Sequence, residues 1–229
     1  MTKKQSTTAI VAGATGLVGK QLVKLLLDHP AYLRVIVLVR RDLGISHPKL
    51  VQKLISFDHL EEELDVGTVR QADVFCALGT TIRQAGSQEA FRQVDYVYPF
   101  ILGKLAKKYG AAKMIIVTAM GSSDKSKLFY NRVKGELQRD LIQLNLPRLV
   151  ILQPSFMLGN RDEKRLGERA GIIAFQLLRP FMIGPLSQYK AVHSADVSRV
   201  MVEAARRKTP KLEVIGSDDI ARKASRLNA

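Results

Sequence analysis

Short, nearly uniformly apolar runs alternate along the chain with longer stretches whose apolar residues recur every three or four positions. The short runs are residues 7–12, 33–39, 54–57, 73–78, 114–118 and 149–152. Runs of this kind are expected of strands covered on both faces, which cannot alternate apolar with polar positions. The longer stretches, residues 17–28, 93–109 and 130–144, carry helical spacing. Strand-helix alternation predicts βαβ units, hence an α/β fold of the Rossmann type: a doubly wound parallel sheet of six strands with helices on both faces. Beyond Pro154 the pattern changes. Residues 161–169 are highly charged, 170–183 are markedly apolar, and 195–207 read as another helix. No Gly/Ser/Pro-rich linker precedes this region, so residues 1–229 are expected to form one NAD(P)-binding domain. Residues 156–229 then include a small C-terminal lobe for substrate or partner that is not an independent domain.

Composition narrows the class. Of 229 residues, 46% are hydrophobic and 25% charged, which excludes disordered and fibrous chains. There is no apolar run long enough to span a bilayer, and the first seven residues are polar, so a cytoplasmic protein with no transmembrane segment is expected. A single cysteine, Cys76, excludes a disulfide framework and a cysteine-cluster zinc site, and no metal is expected. The net charge of +15 invites an anionic partner. The excess is spread over both halves, with local clusters at Lys104, Lys107, Lys108 and Lys113 and at Arg206, Arg207, Lys208 and Lys211. Charge runs on helices ordinarily solvate an exposed face, so a nucleic-acid surface is not the favoured expectation.

Candidate chemistry begins directly after the first strand, with Gly13-Ala14-Thr15-Gly16-Leu17-Val18-Gly19. Glycine permits a tight strand-to-helix turn and close backbone approach, while the helix N-terminus offers open N–H groups to a pyrophosphate. Gly13, Thr15, Gly16, Leu17, Val18 and Gly19 are the candidate phosphate-binding residues. About twenty residues on, where an acidic side chain normally holds the ribose of NAD, stand Arg40 and Arg41. Guanidinium groups clamp a 2′-phosphate that a carboxylate would repel, which favours NADP(H); the alternative is a solvated arginine pair on a basic protein. Phe57 and Asp58 close the expected third strand, where Asp58 could accept from the adenine amine. Leu78, Gly79 and Thr80 end the fourth strand at the carboxyl edge, where open α/β sheets bind ligands.

A second constellation, Tyr130-Asn131-Arg132-Val133-Lys134, follows the fifth strand at the start of a helix. A spacing of four puts Tyr130 and Lys134 on one helical face, where an ammonium favours phenolate and makes the tyrosine an acid/base. Taken with Cys76-Ala77-Leu78-Gly79-Thr80-Thr81, Leu152-Gln153-Pro154-Ser155 and His193-Ser194-Ala195-Asp196-Val197, the chain resembles an atypical short-chain dehydrogenase/reductase, of the Tat-interacting-protein-like branch. The resemblance implies NADPH binding and a Ser/Thr–Tyr–Lys catalytic set in which Tyr130 and Lys134 take the last two roles and Lys134 also holds the nicotinamide ribose. It further implies that Val94-Asp95-Tyr96 lies on the supporting helix and that Pro154 and Ser155 lie beside the nicotinamide. The family takes its catalytic hydroxyl from a serine pair ending the fifth strand, and here that pair is Thr118-Ala119. Either Thr118 supplies the hydroxyl, or the role passes to Ser122 or Ser123.

The expected activity is therefore NADP(H)-dependent reduction of a small, apolar carbonyl compound. Substrate contacts are expected from residues 81–88, 118–129 and 156–184. The apolar segment 170–184 could line the pocket, pack on the sheet or meet a protein partner. A rival expectation is an NADPH-sensing regulatory protein with little turnover, and a further one a basic RNA- or membrane-associated surface on a borrowed scaffold.

Overall fold

The computed structural model describes residues 7–158 and 191–227. The chain opens with β1 (Thr8–Ala12), α1 (Leu17–Asp28), β2 (Arg34–Val39) and β3 (Leu50–Leu54). A 3-10 turn at Phe57–His59 leads into the short helices α2 (Leu60–Glu63) and α3 (Val66–Val69), then β4 (Asp73–Cys76), α4 (Ile82–Ala85) and α5 (Gln88–Arg92). A π-helical turn, Gln93–Val97, runs into α6 (Tyr98–Lys108), followed by β5 (Lys113–Val117), α7 (Phe129–Gln143) and β6 (Leu149–Gln153). β7 (Met157–Leu158) pairs with β8 (Val192–His193), and α8 (Ser194–Arg206), β9 (Leu212–Gly216) and α9 (Ser217–Leu227) complete the described chain.

Seven strands form one parallel sheet in the order β3-β2-β1-β4-β5-β6-β9. Alternate residues of each inner strand face opposite cores: Ala9, Val11, Val37 and Phe75 pack with α1 and α8, while Ile10, Ala12, Leu38 and Cys76 pack with α6 and α7. Both faces are dry, which is why the inner strands read as continuous apolar runs. The order reverses between β1 and β4, opening the crevice in which doubly wound sheets hold ligands.

Two expectations are corrected. The third strand is Leu50–Leu54, not residues 54–57; Ile55 and Phe57 are buried, but in the turn beyond it. Asp58 accordingly sits in a 3-10 turn and does not close a strand. A seventh strand, β9, was not anticipated, and it adds the 212–216 segment to the main sheet beside β6. The charged and apolar segments at 161–169 and 170–184 lie outside the described residues.

Candidate active site at the carboxyl edge of the sheet

The glycine turn is shaped by contacts that no side chain could tolerate. Gly13 has φ +90°, and a Cβ there would lie 2.5 Å from the backbone of Ala77 at the exit of β4. A Cβ on Gly19 would lie 1.9 Å from the Gly13 carbonyl oxygen, so α1 is packed directly on the turn that precedes it. Gly16 N–H donates to Gly13 O at 3.0 Å, and Gly16 caps α1 in extended conformation with no side-chain cap and no acidic residue in the first turn. The first-turn N–H groups of α1 therefore point, uncapped by side chains, into the crevice between β1 and β4.

Arg40 and Arg41 follow the end of β2 and are exposed. Neither makes a hydrogen bond or ion pair among the described residues. Asp58 Oδ1 accepts from the Tyr98 hydroxyl at 2.6 Å and from Gln93 Nε2 at 3.4 Å, and the Tyr98 phenol is raised above its usual range by burial and by Asp58, against the pull of Arg40.

Beyond β4, the Leu78-Gly79-Thr80 turn meets the π-helical turn. Thr80 N–H donates to Asp95 Oδ2 at 2.9 Å. The other carboxylate oxygen, Asp95 Oδ1, is 2.7 Å from Lys134 Nζ, a charge contact off the usual hydrogen-bond angle. Both residues are buried, Asp95 fully and Lys134 to 3% exposure. Burial opposes the Lys134 charge, but Asp95 and then Tyr130 outweigh it and hold the lysine above its ordinary range. Tyr130, one helical turn earlier on α7, keeps 36% exposure and packs its ring 5.5 Å from that of Phe91. The pair is thus a buried cation beneath an accessible phenol.

Thr118 does not fit the role expected of it. Its hydroxyl is buried and donates to Leu152 O at 3.2 Å while accepting from Gln138 Nε2 at 2.7 Å, and Gln138 Oε1 in turn accepts from Gln153. A hydroxyl has one proton, and this one ties β5 to β6 and α7. Ser122 Oγ donates to Ala119 O at 2.6 Å. Ser123 Oγ accepts from Lys125 N–H at 3.3 Å, and its proton has no acceptor among the described residues. The loop carrying both serines lies against α7 at Gly135, where a Cβ would come within 2.1 Å of Ser123 backbone. Pro154 O accepts from Met120 N–H at 2.9 Å, and Ser155 N–H donates to Ser217 Oγ at 3.2 Å, so the loops after β5, β6 and β9 are laced together beside the pair.

The two basic clusters are largely engaged within the molecule. Lys104 pairs with Glu61 at 2.9 Å, Lys107 donates to Asn145 O, and Lys108 lies 5.1 Å from the Tyr109 ring centroid. Lys113 is buried, Arg206 lies over the Tyr32 ring, and Arg207 pairs with Glu203 and Glu213.

A family model described as HIM1 matches residues 51–180. The chain belongs to the HIM1 family. Among its relatives, "Protein FMP52, mitochondrial" of Candida albicans is 33% identical, covering 96% of this chain and 100% of that protein. The protein of the same name in Eremothecium gossypii is 35% identical over 73% of this chain and 74% of its own. "Protein HTATIP2" of Rattus norvegicus is 31% identical over 72% of this chain and 69% of its own. MoeE5, solved with UDP-glucuronic acid and NAD, superposes with a TM-score of 0.68 at 15% identity, over 96% of this chain and 82% of that one. UDP-glucose 4-epimerase of Thermotoga maritima gives 0.67 at 17%, over 96% and 81%. This HIM1-family chain is accordingly an atypical short-chain dehydrogenase/reductase-like protein with a Rossmann fold, as its motifs imply. The cytoplasmic location expected from the sequence is overturned by the FMP52 relatives, which are named mitochondrial. Among the described residues no helix is long and apolar enough to cross a membrane.

Proposed function

We propose that the protein is an NADP(H)-dependent oxidoreductase that reduces a small carbonyl compound, working, like the relatives named for it, in mitochondria. The observation that carries the proposal is the buried Lys134 ammonium set beneath the accessible Tyr130 at the carboxyl edge of the sheet, next to the Gly79–Thr80 turn. The residues present suit a dinucleotide. The uncapped start of α1 and Gly13, Thr15, Gly16, Leu17, Val18 and Gly19 suit its pyrophosphate. Exposed Arg40 and Arg41 suit a 2′-phosphate, and Asp58 lies on the adenine side. Leu78, Gly79, Thr80, Pro154 and Ser155 flank the nicotinamide end, with Lys134 reaching the ribose.

When bound, the reduced cofactor supplies the hydride. Tyr130 hands its phenolic proton to the carbonyl oxygen as negative charge develops there, leaving phenolate that the Lys134 ammonium stabilises until solvent reprotonates it. With the Thr118 proton donated to Leu152, the hydroxyl that steadies the carbonyl falls to the Ser122–Ser123 loop, where Ser123 has a proton to give.

The test is titration with NADPH and with NADH, followed by nucleotide fluorescence, on wild type and Arg40→Ala, then a carbonyl screen on wild type and Tyr130→Phe. Preferential NADPH binding lost in Arg40→Ala, with turnover lost in Tyr130→Phe, supports the proposal. Absence of binding by either nucleotide overturns it. The engaged Thr118 hydroxyl favours one second reading, an NADPH-responsive regulator; tight NADPH binding with no turnover across the screen would select it.

A further inference from the structure

A fully buried carboxylate in a π-helical turn is an unusual item of local structure. Inserting a wider turn re-aims the residues it contains, and such turns cluster at functional sites. Here the turn Gln93–Val97 sets Asp95 between two elements that make no sequence-local contact with each other. Its Oδ2 holds the Thr80 amide at 2.9 Å, and its Oδ1 lies 2.7 Å from Lys134 Nζ. A carboxylate with 0% exposure is tolerated only if its charge is matched, and a lysine with 3% exposure has the same need.

Resting on the reductase reading above, we infer that Asp95 is the positioning residue of this site: it keeps Lys134 charged and aimed, and through Lys134 it sets the acidity of Tyr130. The same carboxylate fixes the Thr80 amide, so the turn flanking the nicotinamide and the ammonium beneath the phenol are located by one group.

The charged and titratable groups facing Lys134 are few. Tyr130 lies on its own helix, Asp95 on the π-helical turn, and Cys76 at the end of β4. Burial pushes the Cys76 thiol up to about 11, so near neutral pH it brings no charge. Asp95 is therefore the group whose removal changes the field at Lys134. Without it, burial dominates and lowers the lysine towards the neutral amine. A neutral amine no longer favours phenolate, and the Tyr130 transition moves to higher pH.

Asp95→Asn isolates the charge, because the amide oxygen can still accept from Thr80 N–H. Two titrations are read on the cofactor-free protein: Lys134 by NMR of labelled lysine side chains, assigned with Lys134→Gln, and Tyr130 by phenolate absorbance, as the difference from Tyr130→Phe. In Asp95→Asn the Lys134 transition is expected to fall and that of Tyr130 to rise, each by about one pH unit or more, which is a tenfold change in the proton equilibrium. Asp95→Glu is expected to restore part of both shifts. The double variant Asp95→Asn with Lys134→Gln buries no unpaired charge, so it tests the linkage should the single variant fail to fold. If Asp95 acts through Lys134, the Tyr130 transition in the double variant matches that in Lys134→Gln alone. A Tyr130 transition that moves further in the double variant, or transitions unchanged in a folded Asp95→Asn, would overturn the inference. A purely structural Asp95 would lower stability and leave both transitions in place. Absence of carbonyl turnover in wild type would sink the reductase reading without touching these titrations.

Discussion

Two glycines lie inside helices, Gly19 in α1 and Gly103 in α6, and the same substitution is expected to act oppositely at the two. On propensity alone, replacing a mid-helix glycine with alanine gains about 1 kcal/mol. At Gly19 the new Cβ would sit 1.9 Å from Gly13 O, 2.7 Å from Gly13 C and 2.9 Å from Ala14 Cα, all backbone atoms of the turn itself. Relief to ordinary van der Waals separation requires a shift of more than about 1 Å between α1 and the turn, at a cost of roughly 1–3 kcal/mol or more. The net effect of Gly19→Ala is a loss of about 1–2 kcal/mol, or roughly 2–8 °C in melting temperature for a chain of this size. Because the displaced atoms are those that aim the phosphate-binding N–H groups, NADPH affinity should fall by at least about tenfold. At Gly103 the Cβ would meet Leu141 Cδ2 at 2.4 Å, Leu144 Cδ1 at 3.2 Å and Met114 Sδ at 3.6 Å. These are the far ends of flexible side chains, so repacking and the propensity gain should leave Gly103→Ala within about 1 kcal/mol of wild type, with NADPH binding intact. Thermal denaturation and fluorescence titration of both variants decide the matter. A Gly19→Ala protein as stable as Gly103→Ala, binding NADPH with wild-type affinity, would refute both the turn geometry and the place of the phosphates.

Thr118→Val keeps the shape of the side chain but removes its hydrogen bond to Leu152 and strands the buried amide of Gln138, so the melting temperature should drop by roughly 2–8 °C, about 1–3 kcal/mol, with NADPH affinity unchanged. Unaltered stability together with lost turnover would instead return the catalytic hydroxyl to Thr118. At the opposite end of the sheet, burial raises Asp73 from the usual carboxylate range to about 6, against the opposing effects of the Tyr32 hydroxyl, Lys113 and Arg206. A raised folded-state value means that the folded protein holds a proton the unfolded chain gives up, so this contribution to stability is complete below about pH 4 and lost as pH rises through about 6. In Asp73→Asn that contribution no longer titrates, and the melting temperature of the variant relative to wild type should climb between pH 4 and pH 7; a difference that stays flat across this range would refute the assignment.

The inner strands were legible from sequence because β1, β2, β4, β5 and β6 are each paired on both sides and covered on both faces, which leaves a continuous apolar run. Both misjudged strands lie at the sheet's edges. β3, Leu-Val-Gln-Lys-Leu, is only partly buried, and its polar Gln52 and Lys53 find partners at the margin, Leu43 N–H for one and Glu63 O for the other. The neighbouring Leu54-Ile55-Ser56-Phe57 looks more strand-like because Ile55 and Phe57 are buried, yet they fill the core from a turn. β9 alternates, with Leu212 and Val214 exposed and Ile215 buried, as an antiparallel or edge strand does, and so escaped a search for uniform runs. The glycine turn and the Tyr130–Lys134 spacing survive translation into structure because each is set within a few residues of chain. The Thr118 assignment did not, because the partner that takes its proton, Leu152, is 34 positions away.

Lys113 and Lys134 show what sequence alone leaves undecided. Each is a buried lysine in an α/β crossover, and Lys113 looked from sequence like part of a surface cluster. Its ammonium in fact donates to Ala204 O, Ala205 O and Arg207 O, at 2.7, 2.9 and 3.0 Å, engaging all three of its protons on the C-terminus of α8. Such a lysine has nothing left to offer a ligand, and its charge complements the negative end of the helix dipole. Lys134 faces the carboxyl edge with Asp95 as its one polar partner among the described residues. An ammonium carries three donors, so the geometry leaves the remainder for groups that enter the crevice: ribose hydroxyls, the Tyr130 phenolate, or water. Burial and charge are common to the two residues; the number of unengaged donors separates a lysine that fastens a helix from one that waits for a ligand, and that number depends on contacts made across the fold.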